Sequence, residues 1–157
     1  MIEIVEANTD EFISKAKELF QEYAETLGFD LSFQNFDKEL DDFPGQYSSP
    51  NGRLYLASYN NQIIGCVGLR YFEDSICEMK RLYVKPNFRG KNAGRALAET
   101  TIKQAKDIGY GYMRIDTLPS MESANELYKI LGFEQIEPYR HNPIEGAIYL
   151  ELNLKKL

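Results

Sequence analysis

Tryptophan is absent from this 157-residue chain, histidine occurs once (His141) and cysteine twice (Cys66 and Cys77). One imidazole and two well-separated thiols give no zinc-type ligand spacing, so no metal is expected. Both cysteines fall inside strand-like segments, which reads as buried reduced thiols in preference to a disulfide. No apolar run approaches the roughly 18 residues that span a bilayer. The start Met1-Ile2-Glu3-Ile4 lacks the basic lead and apolar stretch of a signal peptide. A cytoplasmic protein with no membrane contact is expected.

Basic residues are also outnumbered, 18 Lys plus Arg against 24 Asp plus Glu, for a net charge of -6. That balance gives no general attraction to nucleic acid or anionic lipid. The charge is uneven, however. Residues 1–47 hold 12 acids and 3 bases, net -9, while residues 48–157 hold 12 acids and 15 bases, net +3. Between 78 and 95, six cations (Lys80, Arg81, Lys85, Arg89, Lys91 and Arg95) face a single acid, Glu78. Such a run suits a small polyanion, although a solvated cationic loop and helix start would carry the same charges.

What is present is globular: 43% hydrophobic, 13% aromatic and 27% charged residues, enough for one domain over 1–157 with its own core. Repeats, low-complexity tracts and linkers are lacking. A strand is predicted at Ile2–Glu6. Asn8 and Glu11 form a capping-box pattern, after which Phe12, Ala16, Leu19, Phe20, Tyr23 and Leu27 follow helical spacing. A second helical piece at 36–42 ends at Phe43-Pro44-Gly45. Strands are predicted at Arg53–Tyr59, 63–72 and Ile76–Val84, with Asn60-Asn61 as a hairpin turn, which makes a three-stranded antiparallel meander. Next come a helix at Ala93–Ile108, a strand at Tyr112–Thr117, a helix at Glu122–Leu131, and closing strands near Glu134 and at 147–154. The order is mixed α/β. The strand before Pro86, the following helix and the strand at Met113 form a βαβ unit with its two strands parallel.

The most informative segment is Arg89-Gly90-Lys91-Asn92-Ala93-Gly94, a cationic, Gly-containing turn at a helix N-terminus. Backbone N–H groups there can converge on a phosphate, helped by the helix dipole and by the missing Cβ of Gly90 and Gly94. A merely tight strand-to-helix turn is the other reading of the same residues. G-x-x-x-x-G-K-[ST] is broken because Asn92 follows Lys91, and G-x-G-x-x-G is absent, so neither an NTPase nor a dehydrogenase is supported.

Together with Glu78-Met79-Lys80-Arg81-Leu82-Tyr83-Val84-Lys85-Pro86 and with Ala124-Asn125-Glu126-Leu127-Tyr128 ahead of Leu131-Gly132-Phe133, that turn resembles the GNAT superfamily of acyl-CoA-dependent N-acetyltransferases. The resemblance covers most of the chain, from Leu54 through Leu154. The family's R-x-x-G-x-G/A pyrophosphate signature is met by Arg89 and Gly94, with Asn92 where glycine is usual. Asn tolerates positive φ best among non-glycine residues, so the turn survives. Met121 stands where many relatives carry an asparagine. Asp116-Thr117-Leu118-Pro119, Pro138-Tyr139 and Asn142-Pro143 look like a bacterial branch whose substrates are mostly unassigned.

The resemblance implies a GNAT-like, strongly curved mixed sheet of six to seven strands with flanking helices, whose central parallel strands splay apart. Acetyl-CoA would be the acyl donor, bound by Leu82, Tyr83 and Val84 along the strand and by Arg89, Gly90, Lys91, Asn92, Ala93, Gly94 and Arg95 at the turn. Pantetheine would add like a partial strand, and a backbone N–H, that of Val84, would meet the thioester oxygen. A base is needed as well, because an alkyl amine of pKa about 10.4 is free in only about one molecule in a few thousand at pH 7. Glu78 matches the position where several relatives carry the glutamate base, acting through a water; a surface carboxylate paired with Lys80 or Arg81 is the alternative. Regular alternation would put Glu78, Lys80, Leu82 and Val84 on one face. Tyr128 aligns with the tyrosine near the departing sulfur and also lies on the apolar stripe of its helix.

The expected function is acetyl transfer to a primary amine of a small molecule by direct attack in a ternary complex. Acetylation of a protein N-terminus or lysine, and a non-catalytic acyl-CoA sensor, are the alternatives. Acids including Asp30, Asp37, Glu39, Asp41 and Asp42 fall where acceptor-side helices lie in this superfamily and favour a cationic amine. Lys80, Arg70 and Arg140 favour a carboxylate-bearing one. Whether two chains pair as a homodimer is left open by the sequence; dimers are common in the superfamily, which is analogy alone.

Overall fold

A computed structural model describes residues 1–28, 31 and 35–157. Strands β1 (Ile2–Glu6), β2 (Arg53–Tyr59), β3 (Gln62–Glu73), β4 (Ile76–Val84), β5 (Tyr112–Thr117), β6 (Glu134–Ile136) and β7 (Ile148–Asn153) form one sheet in the order β1-β2-β3-β4-β5-β7-β6. Neighbours pair antiparallel except β4 and β5, which are parallel, as the βαβ pattern predicts. The β2–β3 turn places Asn60 and Asn61 at φ of 50° and 65°, the left-handed region that Asn tolerates at hairpins.

Helices α1 (Asp10–Thr26) and α2 (Phe36–Asp41) cover one face of the sheet, and α3 (Ala93–Ile108) and α4 (Glu122–Leu131) cover the other. The α1 cap lies one residue beyond the Asn8–Glu11 pattern: the Thr9 hydroxyl accepts from the Phe12 N–H. On the α1 side Ala16, Leu19 and Phe20 pack with Leu56, Cys66 and Tyr83. Leu97, Ala98 and Ile102 of α3 pack with Val67, Leu69, Cys77 and Met79 on the other side. Full burial of each large apolar side chain contributes about 1.5–3 kcal/mol, so both layers press on the sheet. Cys66 and Cys77 are free thiols in different clusters, and burial pushes both thiols up, away from thiolate chemistry. No helix among the described residues is long and apolar enough to cross a membrane.

Strand β4 departs from regular alternation. Its pairing with β3 shifts register between Gly68↔Lys80 and Cys66↔Tyr83, and Arg81 adopts φ of 60°. This bulge reverses the phase of the side chains. Glu78 and Lys80 share the α1/α2 side with Arg81 and Tyr83, whereas Leu82 and Val84 turn to the α3 side with Cys77 and Met79. The expected common face for Glu78, Lys80, Leu82 and Val84 is therefore split in two.

The bulge sits where β3 and β4 approach closely. A Cβ on Gly65 would lie 2.8 Å from the Tyr83 carbonyl oxygen. Gly65→Ala should therefore force the strands apart and lower stability by about 1–3 kcal/mol, read as a lower urea midpoint. An unchanged midpoint would contradict the close approach.

Candidate active site

Strands β4 and β5 pair only through Ile76, Cys77 and Glu78 against Tyr112, Met113 and Arg114. Beyond Glu78 they diverge. Between them opens a cavity of about 630 Å³, counted out to open solvent, with Lys80 and Leu82 on one wall, Asp116 and Thr117 on the other, and Tyr23 and Tyr128 closing it from the helices. Lys85 N–H donates to the Ile64 carbonyl, so antiparallel alternation turns the N–H and C=O of Val84, and likewise of Leu82, away from β3 towards this gap. The Arg89 Nε takes the Val84 carbonyl at 3.1 Å.

Glu78 stands at the point of divergence, 1% exposed and engaged by three donors. Arg70 Nε donates to Oε1 at 3.1 Å, while the Tyr139 hydroxyl, at 3.3 Å, and Arg140 Nη2 donate to Oε2. It is thus no surface carboxylate, and its cationic partners are Arg70 and Arg140. Lys80 instead faces Asp116 at 3.1 Å, and Arg81 faces Glu39 of α2 at 3.0 Å. Burial would raise the Glu39 carboxyl, but Arg81 and then Arg70 hold it below the usual carboxylate range. Burial acts the same way on Asp116 and is outweighed by Lys80 and Arg140. Lys80 itself is pushed down to about 8, because burial outweighs the attraction of Asp116.

Tyr128 lines the cavity, and its ring packs edge-on against Phe133 at 5.7 Å. Burial pushes its phenol up, so at neutral pH it is a hydrogen-bond donor. The ring is core and the residue borders the cleft. Met121 borders it too. Asn125, one turn on, accepts from the Thr117 hydroxyl at 2.9 Å and donates to the Leu118 carbonyl at 2.9 Å, tying α4 to β5.

The turn before α3 has the backbone the sequence predicts. Gly90 has φ of 84° and Asn92, the α3 N-cap, φ of 66°. The Asn92 side chain caps nothing, which leaves the first-turn N–H groups of Ala93, Gly94 and Arg95 without intrahelical partners. The cationic run, however, is not one patch. Lys80 and Arg81 are buried against carboxylates and Lys85 pairs with Glu22, so the charges at the turn are Arg89, Lys91 and Arg95. Lys91 lies over the Tyr59 ring at 4.8 Å, and Arg95 sits 3.5 Å from Glu99. The Tyr83 side chain points away from the cleft and donates to Glu22 at 2.6 Å.

Residues 14–133 match the acetyltransferase (GNAT) family model. The chain belongs to the GNAT family. It is 41% identical to an uncharacterized N-acetyltransferase of Schizosaccharomyces pombe, over 89% of this chain and 87% of that protein. It is 27% identical to the human N-acetylaspartate synthetase, over 69% of this chain and 37% of that protein. A Staphylococcus aureus GNAT acetyltransferase shares the fold, with a TM-score of 0.78 at 22% identity over 98% of this chain and 99% of that one. Relatives thus come from eukaryotes as well as bacteria, and a bacterial branch is not distinguished. The GNAT sheet is mixed, seven-stranded and not closed into a barrel, and the chain is an N-acetyltransferase by family.

Several groups of this GNAT site lie outside the expected set. Asp116 was legible only as part of a family-like stretch, although an acid at the C-terminal end of a parallel strand is where open α/β sheets place ligands. Tyr23 read as helix stripe, and Asp30 lies outside the described residues. Asp116→Asn removes one partner of a buried pair, which should cost about 3–5 kcal/mol at pH 7. Since folding lowers the Asp116 pKa from 3.8, this stability is complete above that value and lost as pH falls through the lower folded one. Urea unfolding should show the variant's deficit shrinking below about pH 3.8; a constant deficit would contradict the ion-pair assignment.

Proposed function

We propose that this GNAT enzyme transfers the acetyl group of acetyl-CoA to a primary amine of a small molecule, by direct attack in a ternary complex. What carries the reading is the adjacency of two features: main-chain groups of β4 that face an open gap, and, eight residues of turn later (85–92), uncapped N–H groups at the start of α3. The first suits the pantetheine amides, added like a strand, with the Val84 N–H meeting the thioester oxygen. The second, with Arg89, Lys91 and Arg95, suits the pyrophosphate.

In the chemical step the amine nitrogen forms a bond to the carbonyl carbon and the carbon–sulfur bond breaks. Glu78 takes the amine's proton through a water: of about four lone-pair sites on its two oxygens three are taken, which leaves one for that water. Tyr128 hydrogen-bonds the departing thiolate. Full transfer from phenol to thiolate is uphill, by roughly 2 kcal/mol from ordinary pKa values, so donation without transfer is the role assigned. A small molecule is favoured over a protein acceptor because the related N-acetylaspartate synthetases are named for a small-molecule product.

Calorimetry with CoA and an amine panel assayed by thiol release test this directly. Arg89→Ala should weaken CoA binding about tenfold, equivalent to ~1.4 kcal/mol, with kcat little affected. Tyr128→Phe should lower kcat about ten- to a hundredfold at unchanged CoA affinity. Glu78→Gln should lower kcat/KM about a hundredfold or more at unchanged CoA affinity; an unchanged kcat/KM would remove Glu78 as the base. CoA binding without thiol release from any amine would favour a sensor.

A further inference from the structure

A second cavity, of about 1300 Å³ counted out to open solvent, lies beside α2 and is lined by Lys38, Glu39, Asp42, Gln46, Tyr47 and Arg70. It shares a wall with the cleft, because Glu39 bridges Arg81, which lines the cleft, and Arg70, which lines this cavity. Arg70 is divided between the two. Its Nε holds Glu78 at 3.1 Å, and its Nη1 donates to Gln46 Oε1 at 3.3 Å. Among the described residues its Nη2 makes no hydrogen bond. The Tyr47 hydroxyl, buried beside Glu39 and Arg70, also makes none. A buried hydroxyl left unpaired is disfavoured; Phe20 and Phe43 pack against its ring, and the polar groups beside it are Glu39 and Arg70.

The groups left open are therefore donors: the Arg70 Nη2, the Gln46 amide nitrogen and the Tyr47 hydroxyl. A carboxylate, which only accepts and matches a guanidinium in geometry, is their complement. The acids nearby do not oppose it. Glu39 is already met by Arg81, and Asp42 is exposed alongside the exposed Lys38.

We propose that the acceptor carries a carboxylate close to its amine, and that Arg70, with Gln46 and Tyr47, binds that carboxylate at the edge of the second cavity. The assignment rests on the acetyl-transfer reading above and names the class of its acceptor: amino acids, in preference to polyamines. Since one guanidinium would hold both Glu78 and the acceptor's carboxylate, the amine is presented to the base at a short, fixed separation from the acid group. Arg70 is thus a specificity-determining residue.

The test compares L-aspartate and β-alanine with ethylamine and putrescine, which lack the carboxylate. With acetyl-CoA, kcat/KM should favour the first pair about ten- to a hundredfold, the worth of a charged hydrogen-bonded contact. In Arg70→Gln that preference should collapse, whatever happens to the absolute rate. Gln46→Ala, at an exposed position, should raise KM for β-alanine or L-aspartate several-fold. Equal use of ethylamine or putrescine, or a preference that survives both substitutions, overturns the proposal. Should no amine release thiol from a protein that binds CoA, the transfer reading fails. Calorimetry on the CoA-loaded protein then decides this one: binding of L-aspartate or β-alanine but not ethylamine upholds the carboxylate site, and absence of binding ends it.

Discussion

Two neighbouring parallel strands that stop pairing release main-chain N–H and C=O groups from the ladder, and along β4 beyond Glu78 such groups face an open cleft. The divergence persists because other interactions hold each strand. β4 stays paired with β3 on its far side and β5 with β7, so neither can swing across to close the gap. The bulge at Arg81 adds twist at the place where pairing with β5 ends. At the apex, Glu78 binds β3 through Arg70 and the segment after β6 through Tyr139 and Arg140. A wedge-shaped opening in a continuous sheet is the outcome; the acyl donor is proposed to lie in it, with the acceptor reaching it from the side that Arg70 and the second cavity border.

The charge asymmetry of the sequence finds its explanation in the same place. Acids of the N-terminal segment neutralise cations of the sheet: Glu22 meets Lys85 and Tyr83, and Glu39 meets Arg81 and Arg70. Two of the twelve acids, Glu22 and Glu39, thus dock α1 and α2 onto β4 and Lys85, and these two are not available to attract a cationic substrate. Buried pairs such as Glu39 with Arg81 rarely add net stability over apolar packing, although breaking one is expensive. They also fix the register of the helices over the cleft, because only one seating matches each carboxylate to its cation.

Strand and helix positions were legible because periodicity and turn chemistry agree locally, as at Asn60-Asn61 and at the Gly-containing turn ahead of α3. The bulge was not. Nothing about an arginine between Lys80 and Leu82 signals positive φ, and regular alternation assigned Leu82 and Val84 to the wrong face. Nor could spacing along the chain reveal the partners of Glu78, since Arg70, Tyr139 and Arg140 reach it from separate elements. Lys80 and Arg81, its neighbours in sequence, turned out to be occupied by Asp116 and Glu39. Local pattern thus reports elements, whereas charge pairing across the sheet is a property of the topology.

The two departures from the family's usual residues sit at the start of α3 and at the start of α4. Asn92 takes the left-handed conformation that glycine would take there, so the main-chain geometry of the turn is kept. Met121 loses a polar side chain, yet Asn125 supplies hydrogen bonds between α4 and β5 one turn later. A protein that only sensed acyl-CoA would need the turn and the gap, and nothing more. It would have no use for a buried cluster of Arg70, Glu78, Arg140, Asp116 and Lys80 on the acceptor side, which costs desolvation energy to assemble. The desolvation cost of assembling that cluster is the physical argument behind the proposed second substrate.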